Sequence, residues 1–170
     1  MRFSQQHKIV QVLAPVADAY AAGSSDIVDM QHYRYCTFVA LMGVAGGADR
    51  ITFTVDACSN NVAGVTAQSN LYYRHGTGST PDTLSALVYQ TTPATGSTQL
   101  LAANCVATQH IIEVDAEDLE LAGTTAATAF IATGCRLTWA TSAAGGIVGG
   151  VLAILSMGRW SEDTMPSGLL

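Results

Sequence analysis

The sequence predicts an all-β fold, an antiparallel β-sandwich of jelly-roll-like form, and three observations carry that reading. Apolar and polar residues alternate with a period of two in several separate stretches, the signature of strands with one face on a core. Those stretches are short and separated by clusters of glycine, asparagine, aspartate and serine. Of the 170 residues, 49% are hydrophobic and only 12% charged, which supports a real core and excludes a disordered chain. A length of this order fits one domain that buries roughly 70% of its unfolded surface.

Taken in order, residues 1–8 read as an N-terminal arm, residues 9–160 as the single sandwich domain and residues 161–170 as a polar, unpatterned C-terminal tail. Strand character starts at residues 8–13 and returns at 25–30 and 33–43. The cleanest alternation follows: Ile51, Phe53, Val55 and Ala57 are apolar, while Thr52, Thr54 and Asp56 between them are polar. Residues 68–74 are a further candidate. One short helix is expected near 81–90, with Thr80 as cap, Pro81 at the first helical position, Asp82 against the dipole, and Leu84, Leu87 and Val88 as its apolar face. Over residues 106–115 the pattern places Val106, Ile112 and Val114 inward and Gln109, Glu113 and Asp115 outward. Asp115 can cap a single helical turn over residues 116–119. Ile131, Cys135, Leu137 and Trp139 share a face opposite Arg136 and Thr138.

The apolar run at 143–158 contains two G-x-x-x-G spacings, Gly145 to Gly149 and Gly146 to Gly150. It is shorter than the ~20 residues a membrane span needs and is interrupted by glycine. A strand apolar on both faces, buried on both sides or sealed by a neighbouring subunit, fits it better. The apolar stretch at 9–14 is too short for a signal-peptide core.

Thirteen acidic residues against seven basic ones give a net charge of −6, and the arginines at 2, 34, 50, 74, 136 and 159 are scattered. Phosphate-backbone binding, which needs a basic patch, is not expected. Cysteines 36, 58, 105 and 135 form no C-x-x-C and have no histidine at ligand spacing, so they read as core thiols, not metal ligands. No G-x-S-x-G, Walker A loop or H-E-x-x-H is present. The one carboxylate cluster, Glu113, Asp115, Glu117, Asp118 and Glu120, could serve glycoside hydrolysis or hold calcium, but its position at a strand end reads as a solvated corner. His32, among aromatics at Gln31-His32-Tyr33-Arg34-Tyr35, reads as a surface or interface residue. No catalytic residue, metal ligand or cofactor is expected. Tyr33, Tyr35, Tyr72, Tyr73, Arg159 and Trp160 are the candidates for protein contact.

Three segments carry a resemblance: Ala14-Pro15 after an apolar strand; residues 43–58 with Ile51-Thr52-Phe53-Thr54-Val55-Asp56-Ala57-Cys58; and His110-Ile111-Ile112-Glu113-Val114-Asp115-Ala116-Glu117-Asp118-Leu119 followed by Ala153-Ile154-Leu155-Ser156-Met157-Gly158-Arg159-Trp160-Ser161-Glu162-Asp163. Together they resemble small virion proteins of tailed bacteriophages, most strongly over residues 105–165. The resemblance implies a non-enzymatic cement or decoration protein on the capsid exterior, made in the host bacterial cytoplasm. Its expected partners are the major capsid protein and copies of itself, as a trimer, with no nucleic acid and no membrane. A tail or neck protein is the alternative within that class. A carbohydrate-binding or hydrolytic sandwich using the acidic corner at 113–120 is the alternative outside it. Low charge is the bottom-up counterpart of the first reading, because a soluble monomer normally keeps about a quarter of its residues charged.

Overall fold

A computed structural model describes residues 3–43, 51–59, 62–67, 71–77, 80–85, 87–90, 107–119, 133–141, 146–158 and 168–169. The strands are β1 (His7–Val16), β2 (Val28–Asp29), β3 (Tyr33–Met42), β4 (Ile51–Ser59), β5 (Val62–Ala67), β6 (Leu71–Thr77), β7 (Thr80–Leu84), β8 (Val88–Gln90), β9 (Thr108–Asp115), β10 (Gly134–Thr141) and β11 (Gly149–Gly158). They form two antiparallel sheets. The larger runs β1-β11-β3-β9-β6-β7, with β8 also on β6, and the four-stranded sheet runs β2-β10-β4-β5.

This is a jelly-roll order. With β6 to β8 set aside, the chain doubles back on itself as one long rolled hairpin: β1 pairs with β11, β10 with β2, and β3 with β9, while β4 and β5 form the closing hairpin. The two resulting sheets, β1-β11-β3-β9 and β2-β10-β4-β5, face each other as in the double-sheet, two-Greek-key architecture. The β6 to β8 segment widens the first sheet beyond β9.

The alternation read from sequence sets the faces. Ile51, Phe53, Val55 and Ala57 of β4 are fully buried, as are Cys135 and Leu137 of β10, and Trp139 is nearly so. They meet Cys36, Phe38 and Ala40 of β3, Ile112 and Val114 of β9, and Val151, Ala153 and Leu155 of β11 in one core. Asp115 caps the 3-10 turn Ala116–Asp118 as expected, accepting from the Glu117 N–H at 3.0 Å.

One end of the core is closed by a plug that the strand pattern did not announce. The 3-10 turn Ala19–Ala22 drives Tyr20 inward. Its hydroxyl donates toward Leu41 O at 3.0 Å and Gly150 O at 3.2 Å, tying β3 to β11. Its ring meets Trp139 and Phe53 edge-on, and Trp139 Nε1 donates back to Tyr20 O at 2.8 Å. Gly149 is required beneath it: a Cβ there would lie 2.2 Å from Leu41 O and 2.8 Å from Tyr20 Cε2.

Two expectations need correction. No helix forms near 81–90; residues 80–84 and 88–90 are β7 and β8, both paired to β6. A segment this short cannot nucleate a helix on its own, and the open edge of β6 offers hydrogen-bond partners. Leu84 and Leu87 accordingly stay exposed. The N-terminal arm shrinks, because Phe3–Gln6 is a helical turn and β1 already begins at His7, whose Nδ1 pairs with Ser156 Oγ at 3.0 Å. Of the expected tail, residues 161–167 and 170 lie outside the described residues, and Leu169 is bridged to Val28. Within the chain β11 is buried on one side, with Val151, Ala153 and Leu155 inward and Leu152 and Ile154 on the other face half-buried, which leaves sealing by a neighbouring subunit as the other reading of this strand.

Candidate functional site

The register of the large sheet determines which side chains share its outer face. One row runs Gln11, Leu152, Val39, Ile111, Arg74 across β1, β11, β3, β9 and β6. The next runs Ile9, Ile154, Thr37, Glu113, Tyr72. Leu41, between Gly150 and Gln109, starts a third. The centre is therefore aliphatic: Ile9 is 55% exposed and Leu41 44%, while Val39, Ile111, Leu152 and Ile154 between them are half-buried. Polar groups, Gln11, Glu113, Arg74 and Gln109, surround this centre.

Antiparallel sheets that face water on one side normally alternate apolar-in and polar-out. β4 and β10 obey that rule with Thr52, Thr54, Asp56, Arg136 and Thr138 outward, and Asp56 even forms a cross-strand ion pair with Arg136 at 3.3 Å. β1, β11 and β3 break it. With strands ~4.8 Å apart and outward residues ~7 Å apart along each, the face measures about 20 by 20 Å, on the order of 400 Å². Polar Gln11, Thr37, Glu113 and Gln109 take up part of that face and most of its aliphatic side chains are half-buried. Its exposed apolar area is therefore within what a monomer shows, where such patches are often functional. Even the whole face is about half of the ~800 Å² that each partner gives to a standard interface. A single contact through it is weak, and repetition must supply the strength.

The sequence-derived contact residues scatter around this face. Tyr72 lies on it, 41% exposed and opposite Glu113. Tyr35 is half-buried at its margin, opposite Asp115 and Ser156, with the Arg34 guanidinium 5.3 Å over its ring. Tyr33 is a correction: at 2% exposure it belongs to the core and offers no surface. The reason is a break in alternation at the start of β3, where Arg34 and Tyr35 are both half-buried. Tyr73 pairs with Ile112 and Val88 through β6, while Arg159 and Trp160 lie outside the described residues. The residues that dominate the face, Ile9, Val39, Leu41, Ile111, Leu152 and Ile154, were not singled out; the signal available was apolar residues at the positions where polar ones were due.

The acidic corner is occupied by structural work. Asp115 caps its turn, and Arg34 Nη2 reaches Asp115 at 3.5 Å and Glu117 at 3.3 Å. Glu117, then Tyr35 and Asp115, hold that guanidinium more firmly protonated. Glu120 lies outside the described residues. His32 is likewise engaged locally: its Nδ1 lies 2.6 Å from Asp29 Oδ2, and Asp29 Oδ1 accepts from the Gln31 N–H. Among the described residues no group of three or more His, Cys, Asp or Glu is placed to hold a metal ion. Cys36, Cys58 and Cys135 are free thiols, all buried, and Cys105 lies outside the described residues. The Cys36 and Cys135 thiols are hydrogen-bonded across the core, and burial, reinforced by that neighbour, pushes the Cys135 thiol well up.

No helix among the described residues is long and apolar enough to cross a membrane. No protein-family model matches the chain, and neither does any curated protein or solved structure.

Proposed function

We propose that this chain is a structural virion protein of a tailed bacteriophage, a cement or decoration protein that self-associates on the capsid exterior and stabilises the lattice of the major capsid protein. The observation that carries the reading is the aliphatic outer face of the large sheet, centred on Val39, Leu41, Leu152 and Ile154, on a chain with few charges. Jelly rolls build viral shells, although they also build lectins, so the fold supports the proposal by analogy alone. The acidic corner favours the shell over a sugar-processing role, because two of its carboxylates, Asp115 and Glu117, are engaged by a cap and by Arg34.

In this role each copy buries its apolar face against a neighbour, and many such weak contacts around a shell act together. The test is to purify particles from a producing host and quantify this chain against the major capsid protein. A copy number comparable to that of the capsid protein is expected for cement. A few copies per particle would place it in the tail or neck, and absence from particles ends the proposal.

A further inference from the structure

β2 is an edge strand of the smaller sheet, paired to β10 on one side through Val28 and Asp29. Its other side is taken by the C-terminal segment. Leu169 bridges antiparallel to Val28, and the Asp29 N–H donates to Gly168 O at 3.1 Å. The opposite wall of this seat comes from the larger sheet. A Cβ at position 168 would lie 2.6 Å from Val10 Cγ2 and 2.9 Å from Leu155 Cδ1, with Lys8 Cδ at 3.5 Å. Gly168 is buried there, closing the open side of the sandwich between the edges β1 and β2.

The seat thus reads three things: a backbone carbonyl, a backbone in strand register, and the absence of a side chain at one position. The covalent link back to β11, residues 159–167, can span at most about 30 Å, the diameter of a small domain. Strand addition to a sheet edge works equally within and between chains.

We infer that Gly168 and Leu169 form an exchangeable docking strand, seated in its own chain in the isolated protomer and in the β1/β2 seat of an adjoining copy in the assembly. The partner is a second copy of this chain, which supplies the residues that complete the site. This stands apart from the sheet face, so either can fail without the other.

The test uses full-length chains carrying Cys105→Ser and Cys135→Ala, because Cys135 lies directly opposite Val28 on β10 and would otherwise capture a cysteine placed there. A chain with both Val28→Cys and Leu169→Cys should form an intrachain bridge on oxidation with diamide, since the two are directly opposed in an antiparallel bridge and a Cβ separation from about 4.5 Å needs only a small approach to reach the range a disulfide spans. Failure of that bridge in a folded chain overturns the seat. Mixing the two single variants at high concentration should give a covalent dimer joining one of each, lost when Gly168→Val is added to the Leu169→Cys chain. No such dimer, or one indifferent to Gly168→Val, overturns the exchange. A second readout needs no new cysteine: a labelled peptide of residues 161–170 should bind the Gly168→Val chain and bind the wild-type chain at least about tenfold more weakly, because a tethered segment competes at about millimolar effective concentration. Equal binding to both, or binding to neither, also overturns it.

Discussion

Gly149→Ala is the sharpest internal test of how the sandwich is closed. The added methyl would sit 2.2 Å from Leu41 O and 2.8 Å from Tyr20 Cε2. The ring could yield alone to the second contact, but the first is backbone, so the β11 to β3 ladder must open where Gly149 pairs with Met42 and Gly150 with Leu41. Forcing a methyl into a packed site costs about 1–3 kcal/mol. Shifting Tyr20 disturbs its hydroxyl bonds to Leu41 O and Gly150 O, about 1 kcal/mol net. The edge-on contact with Trp139 is worth a further ~0.5–1.5 kcal/mol. Replacing glycine returns about 0.4–1 kcal/mol by restricting the unfolded chain. The net expectation is a loss of about 1.5–5 kcal/mol. Urea unfolding followed by far-UV circular dichroism, at fixed protein concentration, measures it as a midpoint lowered by about 0.8–2.5 M for a slope near 2 kcal/mol/M. Gly43→Ala is the control, because its nearest neighbour, Val148 O at 3.3 Å, is tight without being impossible. A Gly149→Ala loss below about 0.5 kcal/mol, or one no greater than the control's, would refute the plug.

Other outcomes follow from particular side chains. Burial raises the Asp56 carboxyl above its ordinary value, with the Arg136 guanidinium pulling it part-way back. The folded state then holds its proton to higher pH than the unfolded chain does, so stability falls as pH rises between the unfolded value, about 3.9, and the raised folded one. Urea midpoints across that range should show this slope in the wild type and a reduced slope in Asp56→Asn; identical pH profiles would exclude it. Cys36, Cys58 and Cys135 should resist a thiol reagent at pH 8 in the native protein and react fully in denaturant, read site by site by mass spectrometry. Rapid native labelling of Cys135 would contradict its burial against Cys36.

Much of the sandwich was legible because one face of each central strand obeys period two. β4 and β10 could be read from Ile51 and Leu137 outward, while over β9 the pattern gave Ile112 and Val114 but not the buried Thr108 and His110; Val106 and Ile131 lie outside the described residues. What escaped were decisions made by partners distant in sequence. Residues 80–90 carry a helical spacing, but the edge of β6 claims them as strands. Gly149 sits in a G-x-x-x-G that sequence alone can assign to helix packing, whereas its actual neighbours are a carbonyl from β3 and a ring from residue 20. Tyr33 and Tyr35 look equivalent at period two, and a local break in β3 sends one into the core and leaves the other at the margin. The candidate face was hidden for a related reason. An apolar run such as 151–155 fixes two apolar sides, and only the sheet order shows that one of them faces no second layer among the described residues.

The claim on which everything functional rests is that this outer face joins copies of the chain. Sedimentation velocity over a wide concentration range, comparing the wild type with Leu152→Lys/Ile154→Lys, tests it directly. Lysine can extend its ammonium to water from these half-buried positions, so circular dichroism should stay unchanged. The expected result is a wild type whose mass grows with concentration toward a trimer or larger species and a variant that stays monomeric. A wild type that remains monomeric throughout, or a variant that assembles equally well, would contradict the claim.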